Sequence, residues 1–259
     1  MSGPYLPQDL LDIIADLLHD ADDTLKSFCL VSKSWIPHAR RHIFAEVVFR
    51  TAKDLKSWKS LFQNPLTSPA YYTRTLTINF CPVAMAGPKE GRWILTFSRV
   101  VRFQIGTRYE PATFLFPFRG FSPVLKSLHL VFTALTSLHV FNFICSFPLL
   151  ESVSVGMTGN VFDTSGGFER KSAIARSSSS LLFTGTLKLS LEMGMGSIAS
   201  RLLSLPKGPH FRELRMSWYF PEDALSTAAL VEKCSPTLEY LRICSKTSGT
   251  SSLYPYSHR

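Results

Sequence analysis

The chain has 259 residues, enough for a small domain followed by a larger one. Hydrophobic residues make up 45% and charged residues 18%, which excludes a globally disordered chain. The formal net charge is +9, from 28 Lys and Arg against 19 Asp and Glu, but the cations are scattered. The densest run, Arg92, Arg99, Arg102 and Arg108, shares neither a strand face nor a helical spacing. No zinc-finger spacing or aromatic-basic RNA motif is present, which argues against nucleic acid as a partner. The five cysteines, Cys29, Cys81, Cys145, Cys234 and Cys244, form no Cys-x-x-Cys pair. Odd in number and set in apolar segments, they are expected to be free thiols in a reducing compartment, cytoplasm or nucleus.

The first segment, residues 6–49, has the pattern of short amphipathic helices. Leu10, Leu11, Ile14, Leu17 and Leu18 recur at three- and four-residue steps and predict a helix with one apolar face. Pro7 opens it, and Asp9 and Asp12 lie near the positive end of its dipole. The acidic cluster Asp20 to Asp23 ends it, and Asp23 or Thr24 is expected to cap a second helix carrying Leu25, Phe28, Cys29 and Val31. A third helix is expected from Pro37, carrying Ala39, Ile43, Phe44 and Val47. Three such helices have more apolar side chains than a small core can hide, so an outward patch should meet a partner.

Leu6-Pro7, the apolar run Leu10 to Leu18, Leu30-Val31-Ser32-Lys33-Ser34-Trp35 and Ile43-Phe44 follow one another in the order and spacing of an F-box. The segment resembles that family, and Trp35-Ile36-Pro37 followed by Ala39-Arg40 and His42-Ile43-Phe44 resembles its fungal members. The resemblance covers about one sixth of the chain. It implies a three-helix module over residues 5–49 that docks a Skp-type adaptor and, through it, a cullin scaffold. Carried over residue by residue, the adaptor-binding candidates are Leu6, Pro7, Leu10, Ile14, Leu30, Val31 and Trp35. Trp35 is the expected anchor by residue type.

Residues 50–70 read as a linker helix, and residues 71–245 read as a repeat. The pattern apolar-x-x-apolar-x-apolar recurs in LKSLHL (Leu125, Leu128, Leu130), LESVSV (Leu150, Val153, Val155), FRELRM (Phe211, Leu214, Met216) and LEYLRI (Leu238, Leu241, Ile243). Val100, Phe103 and Ile105 also fit. Weaker copies occur at Leu76 and Ile78 and at Leu187 and Leu189, with Thr73 and Thr184 in the first position. The middle positions, 76, 103, 128, 153, 187, 214 and 241, step by 27, 25, 25, 34, 27 and 27 residues. A period in the twenties with this motif resembles leucine-rich repeats, in which short strands alternate with return segments and stacking makes a continuous core. Residues 135–147 and 223–234 read as return helices. The stretch Ser127 to Leu150 lacks Lys, Arg, Asp and Glu and is long enough for a membrane span. His129, His139, Asn142 and Pro148 interrupt it, and strand, helix and next strand account for it without a membrane. The 34-residue step holds a polar Gly- and Ser-rich insertion near residues 156–180, expected to be a disordered loop. Residues 246–259 read as a flexible tail without a capping repeat.

The expected fold class is therefore α/β, an N-terminal three-helix F-box module followed by a leucine-rich-repeat-like α/β solenoid. No Gly-rich phosphate loop and no Gly-x-Ser-x-Gly elbow occurs, and Met193-Gly194-Met195-Gly196 reads as a flexible turn. His38 and His42 have metalloprotease-like spacing, but Ala39 stands where the general base would be, so the two read as exposed or partner-facing. No cofactor, metal or catalytic residue is expected. The reading that follows is a non-catalytic adaptor: the module docks to a ubiquitin-ligase scaffold and the repeats hold an unidentified target protein. Arg102, Gln104, His129, Arg215 and Arg242 lie between the apolar strand positions as candidates to face it. The competing readings are a non-ligase interaction scaffold capped by the helices and, third, a nucleic-acid-binding solenoid.

Overall fold

The computed structural model describes residues 6–64, 67–80, 90–107, 115, 118–132, 137–157, 183–191, 195–218 and 223–245. The tail at 246–259 and all of the insertion beyond Met157 lie outside the described residues. The protein is α/β. Two compact units divide the chain, Met1–Leu130 with Ser146–Leu150, and Val131–Cys145 with Glu151–Arg259.

The first unit opens with α1 (Gln8–Leu17), α2 (Asp22–Val31), a 3₁₀ turn (Lys33–Trp35) and α3 (Ile36–Ile43). The Pro7 carbonyl accepts the first amide bonds of α1, from Leu10 N at 3.1 Å and Leu11 N at 3.3 Å. Asp9 lies in the first turn, where the helix dipole favours an acid. Helix α2 begins earlier than its sequence suggests. Its N-cap is Ala21, with no side-chain cap, and Asp23 instead pairs with Lys26 at 2.9 Å within the helix. Pro37 sits in the first turn of α3, where its missing N–H costs nothing.

The third helix does not reach Val47. Phe44 closes it, and Glu46–Phe49 is a strand, β1, with Val47 and Phe49 buried. A strand's alternation puts Val47 and Phe49 on one face, where helical spacing had claimed Val47 for a different one. Helix α4 (Ala52–Leu61) follows, started by a capping box in which Thr51 Oγ1 accepts from Asp54 N and Asp54 Oδ2 accepts from Thr51 N. Strands β2 (Thr75–Ile78) and β3 (Arg102–Thr107) pair in parallel, with Val47 opposite Leu76 and Leu76 opposite Phe103. Strand β4 (Ser127–Phe132) begins beside β3, its Lys126 and Ser127 amides both donating to the Val101 carbonyl. Arg74 and Thr75 share the Ala45 carbonyl in the same way, and Val101 and Arg102 share that of Arg74. One turn geometry thus recurs at the entries of β2, β3 and β4. Ser122, fully buried, secures another by donating to the carbonyls of Val100 at 2.7 Å and Ser98 at 3.0 Å.

The second unit carries α5 (Ser137–Ile144), β5 (Ser152–Met157), β6 (Thr186–Leu191), α6 (Met195–Leu203), β7 (Glu213–Trp218), α7 (Asp223–Cys234) and β8 (Tyr240–Ser245). Strands β5 to β8 pair in sequence order and in parallel, which requires a crossover segment between each two. Val153, Leu187, Leu214 and Leu241 stand at one register position. Residues 156 and 157 belong to β5, so the insertion starts later than its composition suggests.

Two further local expectations differ from the fold. The first apolar position of the β6 copy is Phe183, buried and stacked on Phe211 at 5.9 Å, whereas Thr184 is exposed. The slip is accommodated at Gly185, where a Cβ would lie 1.7 Å from the Glu151 carbonyl oxygen. Met195 and Gly196 are not a free turn but the start of α6, whose Gly196 amide donates to Asp223 Oδ1 at 2.7 Å. Buried Asp223 thereby joins α6 to α7.

Candidate functional site

The helical module has its own small core. Leu11 and Ala15 of α1, Leu25 and Phe28 of α2 and Ala39 of α3 are buried together, and Ile14, Leu18, Cys29, Trp35 and Ile43 pack against them. Trp35 lies 4.1 Å from Phe28, centroid to centroid. A polar clamp reinforces the contact of α1 with α3. His38, 5% exposed, donates from Nδ1 to Asp12 Oδ1 at 2.7 Å, and its Nε2 accepts from Gln8 Nε2. Arg41 pairs with Asp12 at 2.8 Å and also with Asp16, and His42 reaches Asp16 at 2.9 Å. His38 is therefore buried and His42 half-buried, and both face inward rather than being exposed or partner-facing. An aspartate on α1 one turn apart from its neighbour meets each histidine on α3. Arg41 beside Asp16 holds that carboxyl below the ordinary carboxylate range.

Helix α1 is apolar on two faces. The inner face carries Leu11, Ile14, Ala15 and Leu18; the outer stripe carries Leu6, Leu10, Ile13 and Leu17, all exposed. Leu30 and Val31, at the end of α2, are exposed too, Leu30 at 87%. Of the seven adaptor-binding candidates, Leu6, Pro7, Leu10, Leu30 and Val31 thus lie at the surface, while Ile14 and Trp35 are half-buried against the module's core. Ile13 and Leu17 extend the surface stripe. Their helical spacing to Leu10 was the available signal, hidden because Leu17 also fits the inner series.

The strands of each unit offer a further surface. Their inward positions are sealed except on β8, and the alternate side chains point outward. Arg102, Gln104, Arg215 and Arg242 are exposed there, and His129 is half-buried. Register adds Lys188, which stands opposite Arg215, itself opposite Arg242. A depression of about 300 Å³ is lined by these three cations with Ser190, Ser217 and Cys244. Arg215 Nε donates to Glu213 Oε1, and Thr186 Oγ1 donates to Glu213 Oε2 at 3.0 Å. The Arg215 guanidinium lies 5.2 Å from the Tyr240 ring centroid. Its bond to Glu213 lowers that carboxyl below the usual range.

Burial pushes the Cys145 thiol up to about 12 and raises those of Cys234 and Cys29, the reverse of what a thiolate nucleophile needs. Among the described residues, no three His, Cys, Asp or Glu side chains are grouped to hold a metal, and no helix is long and apolar enough to cross a membrane. No protein-family model matches the chain, and no curated protein matches it.

Proposed function

We propose that this chain is a substrate receptor of a Skp-cullin-F-box ubiquitin ligase, with residues 5–49 as an F-box module and the strand repeats as a leucine-rich-repeat-like surface for a target protein. The observation that carries this reading is the double apolar character of α1. One face builds the module's core, and the other leaves Leu6, Leu10, Ile13 and Leu17 in water. Leaving Leu10, Ile13 and Leu17 of this helix, with Leu6 just before it, in water forfeits up to about 1.5–3 kcal/mol of burial for each, a cost that a partner removes by covering them. Their place beside Leu6-Pro7 and ahead of Leu30 to Trp35 supports the F-box reading. On this proposal the chain works in the cytoplasm or nucleus and catalyses nothing. The adaptor and the cullin scaffold bring the ubiquitin-charged enzyme to the bound target.

A non-ligase scaffold with a helical cap is the competing reading, and the inward packing of Ile14 and Trp35 favours it. Titration of a purified Skp-type adaptor against the full chain separates the two. The ligase reading expects binding that Leu10→Asp or Leu30→Asp weakens by at least roughly tenfold while the fold is retained. An intact chain that does not bind, or variants that bind as tightly as the parent, would refute it. Trp35→Ala is the poorer probe, because loss of the Phe28 contact loosens the module itself.

A further inference from the structure

We propose that the outward face of β6, β7 and β8 is a docking site for a segment of a partner polypeptide bearing a run of carboxylates. The inference deepens the reading of the strands as the target-holding surface and rests on it. Lys188, Arg215 and Arg242 occupy one register row on three adjacent parallel strands. Adjacent strands are about 4.8 Å apart, so the row sets three cations across roughly 10 Å at their backbones. Like charges placed side by side on a sheet repel, and such a row is kept at a cost to folding.

The counter-charge supplied from within is incomplete. Glu213 pairs with Arg215, the middle cation, and is the one carboxylate at the outward positions of these three strands. Lys188 and Arg242 have no ionic partner among the described residues. Arg215 is also held in place, between Glu213 and the Tyr240 ring, so the middle of the row is fixed. The hydroxyls of Ser190 and Ser217 line the same depression and can donate to a carboxylate oxygen.

Strands β2 and β3 of the first unit pair differently. Across β2 and β3 the register sets Thr75 against Arg102 and Thr77 against Gln104, so no two cations adjoin across that pair. The row is also short. On β5 the opposite residue is Ser154, and the charge stops there. Three cations with a carboxylate among them are fewer than the six to ten phosphate contacts of a typical nucleic-acid footprint (on the order of one cation per phosphate). Two carboxylates three residues apart in a polyproline II segment share one face and are about 9 Å apart, close to the distance between the two outer strands.

The test uses the full chain and a fluorescent peptide containing six consecutive glutamates, with six glutamines as the neutral control. The glutamate peptide should bind and release with added salt, and the glutamine peptide should not bind. Lys188→Glu with Arg242→Glu should weaken binding by roughly tenfold or more, and Lys188→Gln with Arg242→Gln by less. Lys56→Glu, exposed on α4 in the other unit, should leave it unchanged. No binding of the glutamate peptide, equal loss in Lys56→Glu, or tighter binding of a single-stranded oligonucleotide of equal charge overturns the proposal. Preferred binding of a serine-phosphorylated peptide that lacks the acidic run overturns it as well. Adaptor binding is measured in the same variants: if it persists, failure of this site leaves the ligase reading standing, and if the peptide binds without the adaptor doing so, the reverse holds.

Discussion

Leu10 on α1 and Leu214 on β7 are the same side chain in two short elements, yet the first is 45% exposed and the second is fully buried. The difference lies in their neighbours. Leu214 has Leu187 on one side and Leu241 on the other, so its burial is finished within the chain. Leu10 lies on the outer stripe of a three-helix module whose core is already filled by Leu11, Ala15, Leu25, Phe28 and Ala39. A repeat closes its apolar face by stacking the next copy on it, and a lone small module has no next copy. Strand β8 shows both regimes at once. Leu241 and Ile243 hold the inward positions of the motif but are 43% and 42% exposed, because no further strand follows among the described residues.

The sharpest way to break this comparison is Leu214→Ala. Removing it from a sealed column should cost about 2–5 kcal/mol, read as a shift in the urea or thermal midpoint. The same change at Leu241 should cost less than half as much; equal losses would mean that β8 is covered after all. Gly185→Ala comes next, at about 2–3 kcal/mol, because its Cβ would overlap the Glu151 carbonyl and the strand must shift. In the module, Asp12→Ala should cost about 1–3 kcal/mol, since buried His38 then loses its carboxylate partner. Leu30→Asp should change stability by no more than about 0.5 kcal/mol while abolishing adaptor binding, and a large loss of stability would place Leu30 in a core. Acid should give the smallest effect. The Asp16 carboxyl is lowered chiefly by its hydrogen bond to Arg41, so its contribution is present above the ordinary carboxylate range and is lost as pH falls through the lowered value. Helical signal followed by circular dichroism should weaken only there, and Asp16→Asn should remove the effect.

The strand register is legible in the amino-acid sequence, because the motif's spacing is itself the register: 76 pairs with 103, 187 with 214 and 214 with 241. Other features are hidden by local ambiguity. Val47 fits a helical series from Ala39 as well as it fits a strand, and only pairing with Leu76 decides between them. Phe183 and Thr184 compete for one position, and stacking on Phe211 selects the aromatic. Gly196 has the character of a turn residue until Asp223 of the following helix caps it. Lys188 has no distinguishing mark within residues 186–191; its charge matters only beside Arg215 and Arg242.

For the candidate sites the same division holds. Sequence alone determined that the first fifty residues carry surplus apolar surface and that a strand motif recurs to residue 243, since both are properties of spacing along one chain. Tertiary structure decided which leucines are surplus, that Trp35 and Ile14 serve the module's own core, that the histidine pair is clamped inward by Asp12 and Asp16, and that three cations share a row. Those are distances between residues far apart in the chain. Periodicity shows which way a side chain points within its element, but only packing shows what it meets there.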